Sequence, residues 1–198
     1  MASRSYNIPN MLTYGRILVV PVICLCFFMN EIGFFPDTYI MRWISLFLFT
    51  IASITDFFDG YLARIWNQTS NIGRMLDPIA DKLLVSSIIL LMTADGTIDI
   101  YSIWASITIL CREILVSGLR EYLAELKVSV PVTRIAKFKT VIQMISIGFL
   151  LAGPACEEWT FYVKKIGITL LWISAILTIY SGHDYFIVGL KNIDLEEE

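Results

Sequence analysis

The chain has 198 residues, of which 57% are hydrophobic and 17% charged, and its formal net charge is −3. An average soluble domain has about 25% charged residues, so this composition excludes intrinsic disorder and fits an ordinary soluble domain poorly. Because positive charge is not in excess, nucleic acid is not expected as a partner. The composition indicates an integral membrane protein.

Six apolar segments approach the roughly 20 residues that a helix needs to cross a bilayer. Short connections containing Asn, Gly and Pro separate them, and the second, third and fourth carry ionised side chains. We predict an all-α polytopic membrane protein: one domain over residues 1–198, with an N-terminal interfacial segment and six transmembrane helices. In chain order the segments are 10–30, 42–66, 74–94, 98–120, 133–155 and 164–187.

The distribution of Lys and Arg predicts the orientation. If the N-terminus is cytoplasmic, twelve of the fifteen cations fall on the cytoplasmic side, and only Arg42, Lys164 and Lys165 fall on the other. The positive-inside rule therefore places both termini in the cytoplasm. In this topology, the four carboxylates of the second and third segments and several cations lie in one layer near the cytoplasmic surface.

Two carboxylate pairs lie in this layer. Asp56 and Asp59 are three residues apart, and Asp77 and Asp81 are four apart, so each pair shares one face of its helix. Four unpaired carboxylates at low dielectric would be very unfavourable. Hard divalent cations resolve this, because Mg²⁺ prefers oxygen ligands and commonly binds carboxylates together with substrate phosphates. We therefore expect a divalent-metal site.

Two alternatives need no enzyme. The carboxylates could form salt bridges with cations such as Arg74 and Lys82, and Gly60 and Ala63 could simply pack helices together. A divalent-cation transporter would also use intramembrane carboxylates. Such a transporter typically has inverted repeats or interrupted helices in matching halves, and the sequence shows neither.

The complete pattern is more specific than its carboxylates. It is Asp56-x2-Asp59-Gly60-x2-Ala63-Arg64-x8-Gly73-x3-Asp77-x3-Asp81. At every fixed position it resembles the signature of the CDP-alcohol phosphatidyltransferases. The resemblance implies a homodimeric membrane enzyme that moves a phosphatidyl group from a CDP-linked lipid to an alcohol and releases CMP. It also implies two divalent metal ions per active site, Mg²⁺ or Mn²⁺, and a polar cavity open to the cytoplasm.

The resemblance assigns roles to individual residues. Asp81 becomes the general base as well as a metal ligand. The implied metal ligands are Asp56, Asp59, Asp77 and Asp81. The residues implied to bind the CDP-linked donor are Asp56, Asp59, Gly60, Ala63, Arg64, Ser70, Gly73 and Asp77, together with Asn10 and Thr13 from the first segment.

Three further stretches concern the acceptor alcohol. Residues 7–16, residues 77–85 and the Arg112-Glu113 pair are similar to the bacterial branch of this family that acts on glycerol 3-phosphate. A phosphorylated acceptor needs a cationic pocket, because Arg and Lys bind phosphate well. We expect this pocket to contain Arg112, Arg120, Lys137 and Lys139.

These features together predict the reaction. CDP-diacylglycerol would give its phosphatidyl group to sn-glycerol 3-phosphate, forming phosphatidylglycerophosphate and CMP in the cytoplasmic (inner) membrane of a bacterium. Inositol phosphate and serine stay open as alternative acceptors. For Lys137 and Lys139 the alternative explanation is the positive-inside signal together with attraction to anionic headgroups.

Overall fold

The computed structural model describes residues 8–33, 38–65, 71–126, 128, 133–156 and 159–194. Within its helices, the side chains of residues 8–10, 31, 38, 57–65, 71, 72, 74, 134, 184 and 188–194 lie outside the description. The described residues form helices and turns without a strand, which confirms the all-α prediction. The long helices are α1 (Ile8–Glu31), α2 (Thr38–Ile65), α3 (Asn71–Ala94), α4 (Ile103–Glu125), α5 (Arg134–Ala152) and α6 (Thr160–Asp194), and a short 3-10 helix, Gly153–Ala155, follows α5.

The helix boundaries follow the predicted segments, except that α6, predicted over 164–187, spans Thr160–Asp194, and that α4 is displaced as a whole. It was predicted over 98–120 and spans Ile103–Glu125. The reason is the turn before it, in which the Asp99 carboxylate accepts a hydrogen bond of 2.8 Å from the backbone N–H of Ser102 and delays the start of the helix. The predicted interfacial segment falls partly on residues 1–7, outside the described part of the chain. From Ile8 to Glu31 the chain forms one continuous helix.

Asp99 lies in the loop between α3 and α4, outside both helices. Burial by itself raises the pKa of this carboxyl group. Hydrogen bonds from the backbone and side chain of Ser102 outweigh that effect and leave the pKa of Asp99 below its usual value. The ionised carboxylate therefore stabilises the turn that leads into α4.

Four of the helices, α1, α2, α5 and α6, are long and apolar enough to cross a membrane. Helices α3 and α4 are of similar length but carry several charged side chains, among them Asp81 on α3 and Arg112 on α4. Large apolar side chains such as Leu18, Phe47 and Leu90 are exposed on the outside of the bundle. An apolar exterior on long helices identifies an integral, polytopic membrane protein.

All six helices contribute to one apolar core. Its most buried members include Ile88 and Met92 on α3, Ile147 on α5 and Leu171 on α6. Helix α1 packs against α2 and α3, α5 packs against α6 and α2, and α4 packs against α6. Helix α3 touches α4 and α5 only sparsely. Space is therefore left between α3 and the α4–α5 side of the bundle.

Small residues let α5 and α6 approach closely. A Cβ atom placed on Gly167 would lie 2.8 Å from Leu150 Cγ and 3.2 Å from the Leu150 backbone nitrogen. Beside this contact, the Ser146 hydroxyl donates a hydrogen bond of 2.8 Å to the Gly167 carbonyl oxygen. Close backbone approach at small residues is a usual way for membrane helices to associate.

The end of the bundle opposite the carboxylates contains a buried cation. Arg42, 5% exposed, forms a salt bridge with Asp95 and donates a hydrogen bond of 3.1 Å to Thr97 Oγ1. Its guanidinium carbon also lies 4.4 Å from the centre of the Phe27 ring. Arg42 was one of three exceptions to the charge asymmetry, and its burial in an ion pair shows that it does not act as a loop charge.

Candidate active site

Three of the four predicted metal ligands lie on α2 and α3, two helices that both pack against α1. The carboxylate of Asp56 on α2 is close enough to repel those of Asp77 and Asp81 on α3. Asp77 and Asp81 share one face of α3 because they are four residues apart. Gly73, one turn earlier, is buried. The side chain of Asp59 lies outside the description.

Helix α1 supplies partners for two of these carboxylates. Arg16 Nη1 lies 2.5 Å from Asp56 Oδ1, and the Thr13 hydroxyl donates a hydrogen bond of 2.5 Å to Asp77 Oδ1. Both α1 side chains are buried, and they are three residues apart on one face of the helix. Thr13 was predicted to bind the donor, and the structure places it against a predicted metal ligand.

A polar cavity of about 450 Å³ opens beside Asp81, in the space that α3 leaves toward α4 and α5. Its size lies within the range of about 300 to 1,000 Å³ that is typical of small-molecule sites. Four cations line it together with Asp81, and three of them, Arg112, Arg120 and Lys139, were predicted as an acceptor pocket. The residues that line it include Asp81, Lys82, Arg112, Glu113, Ser117, Arg120, Glu121, Lys139 and Tyr185.

The deepest cations of this cavity are held by hydrogen bonds and an ion pair. Lys139, 3% exposed, donates to Glu113 Oε1. Arg112 Nη2 donates a hydrogen bond of 2.8 Å to the Ser181 hydroxyl, and its Nη1 lies 3.9 Å from the same Glu113 oxygen. Gly182 makes room for this arginine, since a Cβ atom there would lie 3.2 Å from Arg112 Nε.

The other two cations lie around the same cavity. The guanidinium carbon of Arg120 is 5.8 Å from the centre of the Tyr185 ring, a cation–π distance. Lys82 Nζ donates a hydrogen bond to Ser117 Oγ. The α3, α4, α5 and α6 helices therefore all contribute to one positively charged chamber.

Lys137, the fourth cation of the predicted pocket, is placed differently. It is exposed and is not among the residues lining the cavity, whereas Lys139, two residues later on α5, is buried inside it. Residues two apart on a helix point about 200° away from each other, so the two lysines cannot share a face. Other residues of the predicted donor site lie outside the described side chains: Asn10, Asp59, Gly60, Ala63, Arg64 and Ser70.

Residues 6–180 match the family described as CDP-alcohol phosphatidyltransferase. The chain belongs to this family. It is similar to several proteins named CDP-diacylglycerol–glycerol-3-phosphate 3-phosphatidyltransferase. The one from Rickettsia felis is 46% identical over 180 residues, which cover 91% of this chain and 93% of the relative.

Two relatives from other bacteria carry the same name. That of Shigella flexneri is 37% identical over 185 residues, covering 91% of this chain and 93% of the relative. That of Cereibacter sphaeroides is 35% identical over 215 residues, covering 92% of this chain and 95% of the relative. The likeness to these CDP-alcohol phosphatidyltransferases extends over nearly the whole chain.

CDP-alcohol phosphatidyltransferases generally use a divalent metal ion. Among the described side chains, no three carboxylate, imidazole or thiol groups converge closely enough to hold one. Arg16 and Thr13 engage Asp56 and Asp77 instead. The chemistry of the donor set nevertheless fits a hard divalent cation, because the described carboxylates of Asp56, Asp77 and Asp81 carry more negative charge than Arg16 can neutralise.

Two participants were not assigned from the sequence of this CDP-alcohol phosphatidyltransferase. Arg16 enters the prediction only as a topology signal and as the last residue of the 7–16 stretch, although a lone arginine next to an apolar run in a membrane helix indicates a buried counter-charge. Glu113 was noted only as the neighbour of Arg112. An acidic residue in the middle of a membrane helix is an equally strong signal, and here its partner is Lys139.

Proposed function

We propose that this chain transfers the phosphatidyl group of CDP-diacylglycerol to a hydroxyl group of sn-glycerol 3-phosphate, yielding phosphatidylglycerophosphate and CMP. The observation that carries the proposal is the cavity in which Asp81 lies beside the half-buried Arg112 and the buried Lys139. Such a chamber offers a base for a hydroxyl and positive charge for a phosphate. The names of the relatives agree with a phosphorylated alcohol as acceptor.

On the donor side, the proposed ligands of two divalent ions, Mg²⁺ or Mn²⁺, are Asp56, Asp59, Asp77 and Asp81. When bound, such ions would neutralise a diphosphate and stabilise the departing CMP. Arg16 holds Asp56 toward the cluster, and Thr13 does the same for Asp77. These two α1 residues therefore orient carboxylates that would otherwise repel each other.

The remaining donor contacts rest on the family signature. We propose that Gly60, Ala63 and Gly73 leave room for the nucleotide, and that Arg64, Ser70 and Asn10 bind it. Gly73 lies on α3, one turn before Asp77, and is buried. A small residue at that point lets a ligand approach the helix backbone.

On the acceptor side, Asp81 takes the proton from the attacking hydroxyl group. The hydroxyl oxygen then forms a bond to the phosphorus of the phosphatidyl group, and the bond from that phosphorus to the oxygen of CMP breaks. Arg112, Arg120 and Lys139 hold the acceptor's phosphate, since charged hydrogen bonds to phosphate are the strong ones. The protein's main tasks are positioning and charge neutralisation, as in other phosphoryl transfers.

The location of the site suits its amphiphilic donor. We propose a single-domain homodimer in the bacterial inner membrane, with both termini and the cavity on the cytoplasmic side. The asymmetry of Lys and Arg supports this orientation, and the burial of Arg42 at the other end strengthens it. Acyl chains could then stay in the bilayer while the nucleotide and the alcohol phosphate approach from water.

The decisive experiment supplies purified protein with CDP-diacylglycerol and, separately, labelled glycerol 3-phosphate, inositol phosphate and serine, each with Mg²⁺ or with EDTA. We expect CMP release with glycerol 3-phosphate and Mg²⁺, and none with EDTA. Release with inositol phosphate but not with glycerol 3-phosphate would show that the acceptor is wrong. Divalent-ion flux in proteoliposomes without any CMP release would indicate the transporter instead.

A further inference from the structure

Glu113 on α4 presents a carboxylate to the cavity with only one oxygen engaged. Its Oε1 accepts a hydrogen bond from Lys139 Nζ and lies 3.9 Å from Arg112 Nη1. Within the described part of the chain, no hydrogen bond or ion pair involves Oε2. Because an ionised carboxylate has acceptor sites on both oxygens, Oε2 keeps the capacity to accept a hydrogen bond from a bound molecule.

Glu113 lies beside the groups that are proposed to react. Glu113 lines the main cavity and also an adjoining one of about 240 Å³, and Asp81 lines both as well. The two carboxylates are close enough to repel each other, and Lys139 is attracted to both. Glu113 therefore lies among the proposed base and the cations proposed to hold phosphate.

The proposed acceptor has three polar parts: a primary hydroxyl group that attacks, a phosphate, and a secondary hydroxyl group between them on C2. Asp81 suits the first, and the cations suit the second. The C2 hydroxyl group needs a hydrogen-bond acceptor located between those two sites. Glu121 also lines the cavity, but it is exposed and lies about 12 Å farther along α4 than Glu113.

We propose that Glu113 Oε2 accepts a hydrogen bond from the C2 hydroxyl group of the acceptor, and that this contact selects alcohol phosphates with a hydroxyl group beside the attacking one. The inference rests on the function proposed above. It makes Glu113 a specificity-determining residue, with Oε1 positioning Lys139 and Oε2 binding substrate. A carboxylate built to bind a hydroxyl group discriminates strongly, because an analogue without that group leaves it unpaired.

The test compares sn-glycerol 3-phosphate with 3-hydroxypropyl phosphate, which keeps the attacking hydroxyl group and the phosphate but lacks the C2 hydroxyl group. Metal-loaded enzyme in mixed micelles with CDP-diacylglycerol gives kcat/KM for each acceptor. We expect the wild type to prefer glycerol 3-phosphate by at least about tenfold. In Glu113→Ala the preference should fall to within about twofold, and in Glu113→Gln it should fall at least threefold, since a neutral amide accepts a weaker hydrogen bond.

The ratio of the two acceptors separates substrate binding from a structural role. If Glu113 only positioned Lys139, its loss would lower both kcat/KM values alike, and an unchanged ratio in Glu113→Gln would overturn the proposal. Glu121→Gln is the matched control in the same cavity and should keep the wild-type ratio. A wild type that uses both acceptors equally well would overturn the role of Glu113 alone, whereas a wild type inactive with glycerol 3-phosphate would overturn the proposed function itself.

Discussion

The sharpest test of the acceptor pocket compares two lysines on the same helix. Lys139 is 3% exposed, is paired with Glu113 and lines the cavity, whereas Lys137 is exposed and lies outside the lining. Replacing each with alanine removes the same charge and a similar number of atoms. We therefore expect Lys139→Ala to impair the use of glycerol 3-phosphate far more than Lys137→Ala does.

The burial of each lysine sets the expected magnitude. Removing one partner of a buried, hydrogen-bonded charge contact costs about 3 kcal/mol, which corresponds to about a 100-fold loss of kcat/KM. An exposed cation contributes about 0–1 kcal/mol because solvent screens it, so Lys137→Ala should change kcat/KM by less than about fivefold. The effect of Lys139→Ala should fall mainly on the KM for the acceptor.

The assay follows CMP release from CDP-diacylglycerol in mixed micelles while each substrate is varied in turn. Thermal unfolding of both purified variants in detergent checks that Lys139→Ala has not simply unfolded with Glu113 left unpaired. Equal effects of the two substitutions would refute the placement of Lys139 in an acceptor pocket. An equal rise in KM for donor and acceptor would also contradict it, because the pocket is assigned to the acceptor alone.

Three further outcomes are expected. Asp81→Asn should lower kcat by at least about 100-fold, as is usual for loss of a general base, while CDP-diacylglycerol binding measured by equilibrium methods stays largely intact; unimpaired turnover would exclude the role of base. Gly167→Ala should lower the free energy of unfolding by about 1–3 kcal/mol, because its new methyl group meets the neighbouring helix. Gly118→Ala has open space around it and should be neutral or stabilising by up to about 1 kcal/mol. Chemical denaturation of the two variants compares these effects. The pKa of Asp99 is lower in the folded state, so its contribution to stability is present above its unfolded pKa of about 3.9 and is lost as the pH falls through the folded value. Asp99→Asn should therefore flatten the acidic part of a plot of melting temperature against pH. A plot identical to that of the wild type would contradict the stabilising role of the turn.

Much of the fold could be predicted because the bilayer constrains it strongly. A helix that crosses the hydrocarbon of a bilayer needs about 20 mostly apolar residues, and segments close to that length can be recognised in the sequence. The boundary of α4 was less accurate, since Asp99 extends the preceding turn through a hydrogen bond with Ser102 that hydropathy does not reveal. The structure confirmed the all-α membrane architecture, and the comparisons confirmed the family.

The sequence predicted the carboxylates of the site but not the side chains that pair with them. Spacing placed Asp77 and Asp81 on one face of a helix, and the structure brings both near Asp56. The spacing could not show that α1 would provide Arg16 as the counter-charge of Asp56. A salt bridge across helices depends on their relative rotation and height, and neither quantity is encoded in the periodicity of a single segment.

The sequence by itself determined that this chain occupies a membrane and that its carboxylates are grouped in the pattern of a phosphatidyl-transferring family. Helical spacing also determined that Lys137 and Lys139 face different directions. Only the tertiary structure decided that Lys139 is the one that enters the cavity, and that Glu113 meets it there. The physical reason is that α3 contacts α4 and α5 only sparsely, so that the space between these helices determines which polar side chains line one cavity. Each helix alone determines only the order of residues around its own axis.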